Sequence, residues 1–262
     1  MFDFKGKVVV ITGGETGIGR ATVEAFARAG ADVTLAGYLE DKAAEVVKSL
    51  ASEGFTVDFV QTDVQQESSI DNVVSTVIGK HGRIDVLVNN ASIFDGFAGV
   101  LETSNALWDR VINTNLRGTF YFCRAVLKDM VARGDGRIVN VASVGGILGG
   151  ADGLAYTASK FGVIGLTRQM AVEFTKTGVG INAVCPGMIQ TDMRGNSARI
   201  LGNDAPDMAR GVGVNPDALK RVPAGKKGVP LDIANAIMFA ASPYAAYLAG
   251  HSLVIDGGWT IQ

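Results

Sequence analysis

The sequence is poor in the residues that bind metals or cross-link small folds. Its 262 residues include two cysteines and two histidines. Cys123 and Cys185 lie in apolar runs far apart in sequence, which favours two buried, reduced thiols over a disulfide or a metal pair. His81 and His251 have no Cys, Asp or Glu at metal-ligand spacing. We therefore predict no bound metal.

Long apolar runs and an excess of charge of one sign are also missing. No stretch reaches the roughly 18 uninterrupted apolar residues of a membrane-spanning helix, and the formal net charge is -2. We therefore expect neither a membrane nor a nucleic acid as a partner. The first seven residues lack the apolar segment of a secretory signal, so we expect a cytoplasmic protein.

What the chain has is a regular alternation of apolar, β-branched runs and helical patterns. Strands are predicted at residues 8–12, 33–36, 57–61, 86–89, 136–141, 181–185 and 253–255. Helices are predicted at residues 18–29, 41–53, 66–81, 104–133, 155–177 and 230–242. The strand runs show no polar alternation, which is typical of strands buried on both faces of a parallel sheet. The sequence predicts one α/β domain over residues 1–262, a doubly wound, Rossmann-like parallel sheet with helices on both faces.

One long segment breaks this alternation. Residues 188–225 are dotted with glycine and only weakly periodic. A loop of that length inside a compact domain is usually functional, so we expect a substrate loop, or lid, over the site. Its apolar residues either contact substrate or only pack; they are Met193, Met208, Val212, Val214 and Leu219.

A glycine-rich turn follows the first predicted strand and opens the first helix. It reads Thr-Gly-Gly-Glu-Thr-Gly-Ile-Gly over residues 12–19. Glycines at such a position let a pyrophosphate approach backbone N–H groups at the positive end of the helix. An ordinary strand-to-helix turn is the alternative.

The spacing of this turn, with three residues between Gly13 and Gly17, resembles that of the short-chain dehydrogenase/reductase family. Further motifs match the single-domain branch of that family in order: Asp63-Val64, Asn89-Asn90-Ala91, Asn115, Ser143, Tyr156-x-x-x-Lys160, Pro186-Gly187 and Asp256-Gly257-Gly258. The resemblance covers nearly the whole chain. It implies an oxidoreductase that moves a hydride between a nicotinamide cofactor and a secondary alcohol or ketone.

Tyr156 and Lys160 are four residues apart on a predicted helix, so they share one face. A tyrosine with a pKa of about 10 is a poor base at neutral pH, but a nearby ammonium and an oxidised nicotinamide both favour the phenolate. We therefore expect a lowered tyrosine pKa and acid–base catalysis. The resemblance adds that Ser143 binds the substrate oxygen, that Lys160 binds the ribose, and that Asn115 anchors a water that relays protons.

The resemblance also implies a set of cofactor contacts besides Tyr156 and Lys160. They are Gly13, Thr16, Gly17, Ile18, Gly19, Gly37, Tyr38, Asp63, Val64, Asn90, Ala91, Pro186, Gly187, Ile189 and Thr191.

The end of the second strand decides between NAD and NADP, because an acid there binds the ribose hydroxyls and repels a 2′-phosphate. Here the deciding position is Gly37, which offers neither an acid for the ribose hydroxyls nor a basic residue for a 2′-phosphate. Thr16 stands where NADP-preferring relatives often carry a basic residue, and Glu40 and Asp41 add negative charge. The sequence slightly favours NAD and leaves NADP open.

The substrate is expected to be small and free, such as a sugar, polyol or hydroxy acid. The alternative is a 3-oxoacyl group on acyl carrier protein. Such a carrier needs a basic patch, and residues 171–173 lack the arginine expected there. Lys128 could supply part of the patch. The pocket residues expected to be apolar are Ile93, Phe94, Phe97, Ile147 and Leu148, and those expected to be polar are Ser92, Asp95, Asp152 and Gln190.

Two further expectations concern the protein as a whole. A non-catalytic dinucleotide-binding sensor is disfavoured, because Ser143, Tyr156 and Lys160 are all present. The helical stretches 104–133 and 155–177 resemble the family's subunit-pairing helices, which implies a homodimer or homotetramer.

Overall fold

The computed structural model describes residues 2–211 and 216–261. Its core is one sheet of seven parallel strands in the order β3-β2-β1-β4-β5-β6-β7. The strands are β1 (Val8–Thr12), β2 (Asp32–Gly37), β3 (Val57–Gln61), β4 (Val86–Asn89), β5 (Gly136–Val141), β6 (Val179–Pro186) and β7 (Ser252–Ile255). The predicted doubly wound α/β fold is confirmed.

Within these two ranges, eight α-helices connect the strands and cover both faces of the sheet. They are α1 (Gly17–Arg28), α2 (Glu40–Ser52), α3 (Glu67–His81), α4 (Asn105–Ile112), α5 (Gly118–Arg133), α6 (Leu154–Phe174), α7 (Met193–Leu201) and α8 (Pro230–Ala241). None of the helices in the described ranges is long and apolar enough to cross a membrane.

The unbroken apolar character of the central strand β1 has the predicted cause. All five residues of β1 are buried, since alternate side chains enter a different core. Val9 and Ile11 pack with residues of α1, α2 and α8 on one face. Val8 and Val10 pack with residues of α3, α5 and α6 on the other.

The predicted helix over residues 104–133 is interrupted. α4 and α5 are joined by a π-helical turn at Asn113–Arg117, in which the Gly118 amide bonds to the Asn113 carbonyl. A π turn inserts one extra residue into the helical ladder and often marks a functional site. The apolar periodicity runs through the insertion, so the sequence pattern did not show it.

The proposed lid segment also contains regular structure that the sequence pattern missed. Residues 193–201 form α7, whose first turn is capped by the Asp192 side chain accepting from the Gly195 amide at 3.2 Å. Ser197 holds the helix against the pocket by accepting from the Phe94 amide at 2.9 Å. Val212 and Val214 lie outside the described residues. The segment is therefore partly helical instead of one long loop.

Candidate active site

A pocket opens at the carboxyl edge of the sheet, where β1 and β4 lie side by side. The chain leaves β1 toward β2 on one side and later returns to β4 on the other, so the connections diverge and leave a crevice. Open α/β sheets bind their ligands at such a switch point. The pocket runs from the end of β2, past the glycine turn, to the ends of β5 and β6.

The glycine turn is locked to the end of β4. Asn90 Nδ2 donates to the carbonyl oxygens of Thr12 and Gly13 at 3.0 and 2.9 Å. A side-chain carbon at Gly19 would lie 2.0 Å from the Gly13 oxygen, so only glycine fits there. Gly17 has a φ of +52°, which also favours glycine. The turn is thus preformed for close approach of a phosphate to backbone N–H groups.

Glu15, inside the glycine turn, reaches across to the end of β2. Its side chain is 6% exposed, and its Oε1 accepts from the amides of Tyr38 and Leu39 at 2.9 and 3.1 Å. Its other oxygen, Oε2, is buried without a hydrogen-bond partner among the described residues. A side-chain carbon at Gly37 would lie only 2.6 Å from that oxygen. Burial raises the pKa of Glu15, and the backbone amides oppose that shift.

Three of the predicted catalytic side chains converge at the other end of the pocket. Ser143 follows β5, and its hydroxyl accepts from the Gly145 amide at 3.0 Å and donates to Asp152 Oδ2 at 3.2 Å. Tyr156 lies on α6 with its ring edge against Phe94, centroid to centroid 5.3 Å. Lys160, one turn later, places Nζ 5.3 Å from the Tyr156 ring centroid and donates to the Val141 carbonyl at 2.9 Å.

Taken together, the protein's own groups raise the pKa of Tyr156. Burial is the largest cause and the Asp152 carboxylate raises this pKa further, while the hydroxyls of Ser92 and Ser143 oppose the shift. The expected lowering is therefore wrong for the protein alone, because desolvation by burial dominates the pKa. Burial also lowers the pKa of Lys160 to about 8.

Asn115 lies in the π turn, buried under the pocket floor. Its Oδ1 accepts from the Ile93 amide at 2.9 Å, and its Nδ2 donates to the Ile93 carbonyl at 3.0 Å and to Ser159 Oγ at 3.1 Å. Both amide hydrogens are thus used in joining the β4 loop to α6. The side chain is fixed in place, and the predicted water relay stays a prediction.

Two buried carboxylates stand behind the catalytic side chains. Asp95 Oδ2 accepts from the Tyr156 amide at 2.8 Å and so anchors the start of α6. Asp152 lines the pocket beside Ser143. Its pKa is raised to about 6, mainly by burial. Asp95 adds to that shift, while Ser143, Lys160 and Arg194 oppose it.

Most of the predicted site residues lie on the pocket wall. Those that line it are Gly13, Thr16, Gly17, Ile18, Tyr38, Asp63, Val64, Asn90, Ala91, Ser143, Tyr156, Lys160, Pro186, Gly187, Ile189 and Thr191. Three predicted residues are not on the wall, namely Gly19, Gly37 and Asn115. Gly19 lies under the Gly13 carbonyl, and Gly37 lies under Glu15. Asn115 is buried, and its neighbour Thr114 lines the pocket instead.

The predicted substrate residues divide in the same way. Ser92, Ile93, Phe94, Phe97, Asp152 and Met193 line the pocket. Ile147, Leu148, Asp95 and Gln190 do not, and Asp95 is a buried structural group instead. Met208 packs at the edge of the apolar cluster around Phe94.

Glu15 and Arg194 also line the pocket, and sequence reasoning missed both. Glu15 belongs to the glycine turn, and its neighbours in the sequence are assigned to the phosphates. Its contact with the end of β2 depends on the three-dimensional shape of the turn, which a sequence pattern does not show. Arg194 belongs to α7, which weak periodicity concealed. Its guanidinium carbon lies 5.2 Å from the Phe94 ring centroid and 5.3 Å from that of Phe97.

Comparison with known proteins agrees with this geometry. The family model described as short chain dehydrogenase matches residues 7–200. The chain belongs to the short-chain dehydrogenase/reductase family. It is accordingly an NAD(P)-dependent oxidoreductase that acts on alcohols and ketones, as the resemblance of its motifs implied.

Relatives with different substrates are similarly close to this short-chain dehydrogenase. The 3beta-hydroxysteroid dehydrogenase 2 of Eggerthella lenta is 35% identical over 97% of this chain and 95% of its own length. A 3-oxoacyl-(acyl carrier protein) reductase of Thermotoga maritima is 39% identical over 98% and 99%. The structure of a putative NAD(P)-dependent gluconate 5-dehydrogenase from Beutenbergia cavernae, with bound NADP, is 36% identical with a TM-score of 0.86, covering 100% of this chain and 99% of that one.

Proposed function

We propose that this dehydrogenase interconverts a small, free secondary alcohol and its ketone, with Tyr156 as the acid–base group. The observation that supports this most directly is the convergence of Ser143, Tyr156 and Lys160 at the inner end of the pocket. Ser143 and Tyr156 are assigned the substrate oxygen: the serine hydroxyl binds it and the tyrosine exchanges its proton.

The cofactor fits the other wall of the same pocket. The preformed glycine turn suits the pyrophosphate, and the residues assigned to the nicotinamide half are Asn90, Ala91, Pro186, Gly187, Ile189 and Thr191. When bound, the nicotinamide supplies hydride transfer and, in its oxidised form, a positive charge. Tyr156 needs that charge, because the protein's own groups raise its pKa. Lys160, a residue that is 2% exposed, is assigned the ribose hydroxyls and the proton path behind Tyr156.

In the oxidation direction, the alcohol loses a proton to the Tyr156 phenolate as its carbon-bound hydrogen leaves as hydride. Ser143 keeps its hydroxyl on the oxygen that becomes the ketone. The Lys160 ammonium first releases a proton toward solvent, by the water relay predicted at Asn115, and the neutral amine then takes the proton from Tyr156, which restores the phenolate and the ammonium. In the reduction direction the same proton moves back to the new alcohol.

We propose NAD over NADP as the cofactor, in the direction that the sequence slightly favours. The wall at the β2 end of the pocket includes Glu15, Tyr38, Leu39 and Asp63. Among the described residues that line this end there is no lysine or arginine to receive a 2′-phosphate. The related gluconate dehydrogenase structure holds NADP, so the proposed preference for NAD rests on this chain's own residues.

The wall around Tyr156 supports a polar substrate. Ser92 and Asp152 bring a hydroxyl and a carboxylate to the pocket, and Arg194 brings a guanidinium. The one hydrogen bond that Arg194 makes to the described residues is donated to the Met208 carbonyl, so its remaining N–H groups are available to an anion. Asp152 as an acceptor for a hydroxyl and Arg194 as a cation together fit a hydroxy acid. Asp152 without Arg194 fits a sugar or polyol.

The carrier-protein alternative draws support from relatives such as the Thermotoga maritima reductase. It requires a basic surface to receive an acidic carrier. Glu173 is exposed on α6, where that family member is expected to carry an arginine, and it accepts from Gln169 at 2.6 Å. We therefore rank the carrier-bound substrate second.

A substrate panel tests this proposal. Purified enzyme with NAD or NADP is offered hydroxy acids, polyols, sugars, apolar alcohols and a 3-oxoacyl carrier protein, and the nicotinamide absorbance is followed. We expect turnover of free polar alcohols, and an Arg194→Gln variant should raise KM for hydroxy acids more than for uncharged polyols. Turnover confined to the carrier-bound substrate would overturn the proposal.

The remaining expectations go beyond the fold and stay predictions. They are the cytoplasmic location, the homodimer or homotetramer paired through α4, α5 and α6, the single domain over residues 1–262, and the lid role of residues 188–225.

A further inference from the structure

The end of β2 has no side chain where the common cofactor pattern places a deciding one. Gly37 is the last residue of β2, and Tyr38 and Leu39 continue along the pocket wall. The space that a Gly37 side chain would take is filled from elsewhere, because a carbon added to Gly37 would meet Glu15 Oε2 at 2.6 Å and Glu15 Cδ at 2.9 Å.

We propose that Glu15 supplies, from within the phosphate turn, the carboxylate that reads the 2′-position of the adenosine ribose. This inference rests on the proposed use of a nicotinamide dinucleotide. Glu15 is then the residue that selects NAD and disfavours NADP, and Gly37 is glycine because the acid occupies its space.

The contacts of Glu15 support this assignment. The two backbone amides that bond to Oε1 fix the carboxylate at the β2 end. Oε2 is buried and has no donor among the described residues. A buried acceptor without a donor is costly unless a ligand provides one, and a ribose hydroxyl is a donor. A 2′-phosphate is not, and it brings negative charge against a poorly solvated carboxylate.

The neighbouring charges do not offset this repulsion. Thr16, beside Glu15 in the turn, is neutral, and Asp63 adds a second acid to the same end of the pocket. Arg199 comes near in the fold, but its guanidinium is paired with Asp41 at 2.9 and 3.0 Å. The electrostatic preference at this end is thus set by acids, of which Glu15 is the most buried.

Binding titrations by calorimetry test the proposal without any turnover. The probes are NAD and NADP, and the measured quantity is the ratio of their dissociation constants. The wild type should bind NAD at least ten-fold more tightly than NADP. Glu15→Gln keeps the size of the side chain and removes its charge, so the ratio should fall at least ten-fold, chiefly through tighter NADP binding.

Two further variants separate selection from a structural role. Glu40→Gln removes another acid at the same end of β2, one that does not line the pocket, and should leave the ratio unchanged. The double variant Glu15→Ala, Gly37→Asn refills the vacated space from the strand without a charge. It should lose the NAD preference as Glu15→Gln does, which a merely structural role of Glu15 would not produce.

An unchanged ratio in Glu15→Gln would overturn the assignment, and so would an equal effect of Glu40→Gln. If Glu15→Gln unfolds, the double variant decides: a folded double variant that keeps the wild-type preference for NAD overturns the proposal, and one that has lost this preference supports it. Since the readout is binding, an inactive substrate panel would count against the proposed function and leave this result intact.

Discussion

At the scale of single residues, the unusual feature of this site is the carboxylate of Asp152 beside the catalytic hydroxyls. It accepts from Ser143 at 3.2 Å and raises the pKa of Tyr156. A negative charge at that point works against the phenolate that alcohol oxidation requires. In the proposed function this carboxylate, which lines the pocket, serves to bind a substrate hydroxyl.

Asp152→Asn should shift the pH dependence of alcohol oxidation. Removing the charge lowers the pKa of Tyr156 and also that of Lys160, which Asp152 raises. The rising limb of kcat/KM should therefore move to lower pH by about one unit, equal to ~1.4 kcal/mol. Initial rates between pH 6 and 10 measure this. An unmoved limb, or one at higher pH, would show that Asp152 does not act on Tyr156.

The control for this variant is Asp192→Asn. Asp192 is another acid on the pocket wall, but it is exposed, it caps α7, and it is not among the groups that shift Tyr156. Asparagine caps helices as well as aspartate does. The pH profile of this control should match the wild type.

Residue identity and residue role were not equally predictable from the sequence. Ser143, Tyr156 and Lys160 were found because their order and spacing match a family pattern. The direction of the tyrosine pKa was missed, because it depends on burial and on Asp152, and neither is visible in spacing. Glu15 was missed because its partners lie 23 and 24 residues away, just after β2.

At the scale of elements, the π turn between α4 and α5 explains how Asn115 reaches its partners. The turn rotates residues 113–117 relative to a continuous helix, and Asn115 faces inward with its three hydrogen bonds to Ile93 and Ser159. It joins the loop after β4 to the helix that carries Tyr156. The two sides of the active site are thereby held together.

Asn115→Ala should destabilise the protein. The change leaves the Ile93 amide and carbonyl buried without their partner, at ~1–3 kcal/mol for each unsatisfied group, while the Ser159 hydroxyl keeps its bond to the Tyr156 carbonyl. We expect the free energy of unfolding in urea to fall by about 2–4 kcal/mol. Asn113→Ala is the matched control from the same turn, since no side-chain hydrogen bond of Asn113 is found among the described residues. It should change stability by less than about 0.5 kcal/mol, and equal losses in both variants would contradict this account.

Helices and strands were predictable from the sequence where apolar residues recur with a strong helical or strand pattern. β1 and β3 agree with the sequence expectation residue for residue. The π turn could not be read, because one inserted residue does not disturb an apolar face over thirty positions. α7 was hidden because its sequence, Met-Arg-Gly-Asn-Ser-Ala-Arg-Ile-Leu, is polar on most sides and buries only Ser197 and Leu201.

At the scale of the whole molecule, one sheet edge gathers residues from nearly the full length of the chain. Gly13 and Trp259 line the same pocket, although they are separated by almost the entire sequence. The parallel topology predicts this gathering, because every strand ends at the same edge. Which side chains then face the pocket is decided by loop conformation, and this is why the sequence could name the reaction but not the substrate.

In the proposed reaction, Tyr156 exchanges the substrate proton. The most direct measurement is the rate of nicotinamide reduction by Tyr156→Phe in rapid-mixing experiments at saturating cofactor and alcohol. We expect this rate to fall by at least 10²-fold, within the range of about 10²–10⁴ for loss of a general base, while cofactor affinity changes little. Tyr121→Phe, which removes a phenol outside the pocket, should keep the wild-type rate. A Tyr156→Phe enzyme that retains most of the wild-type rate would contradict the claim.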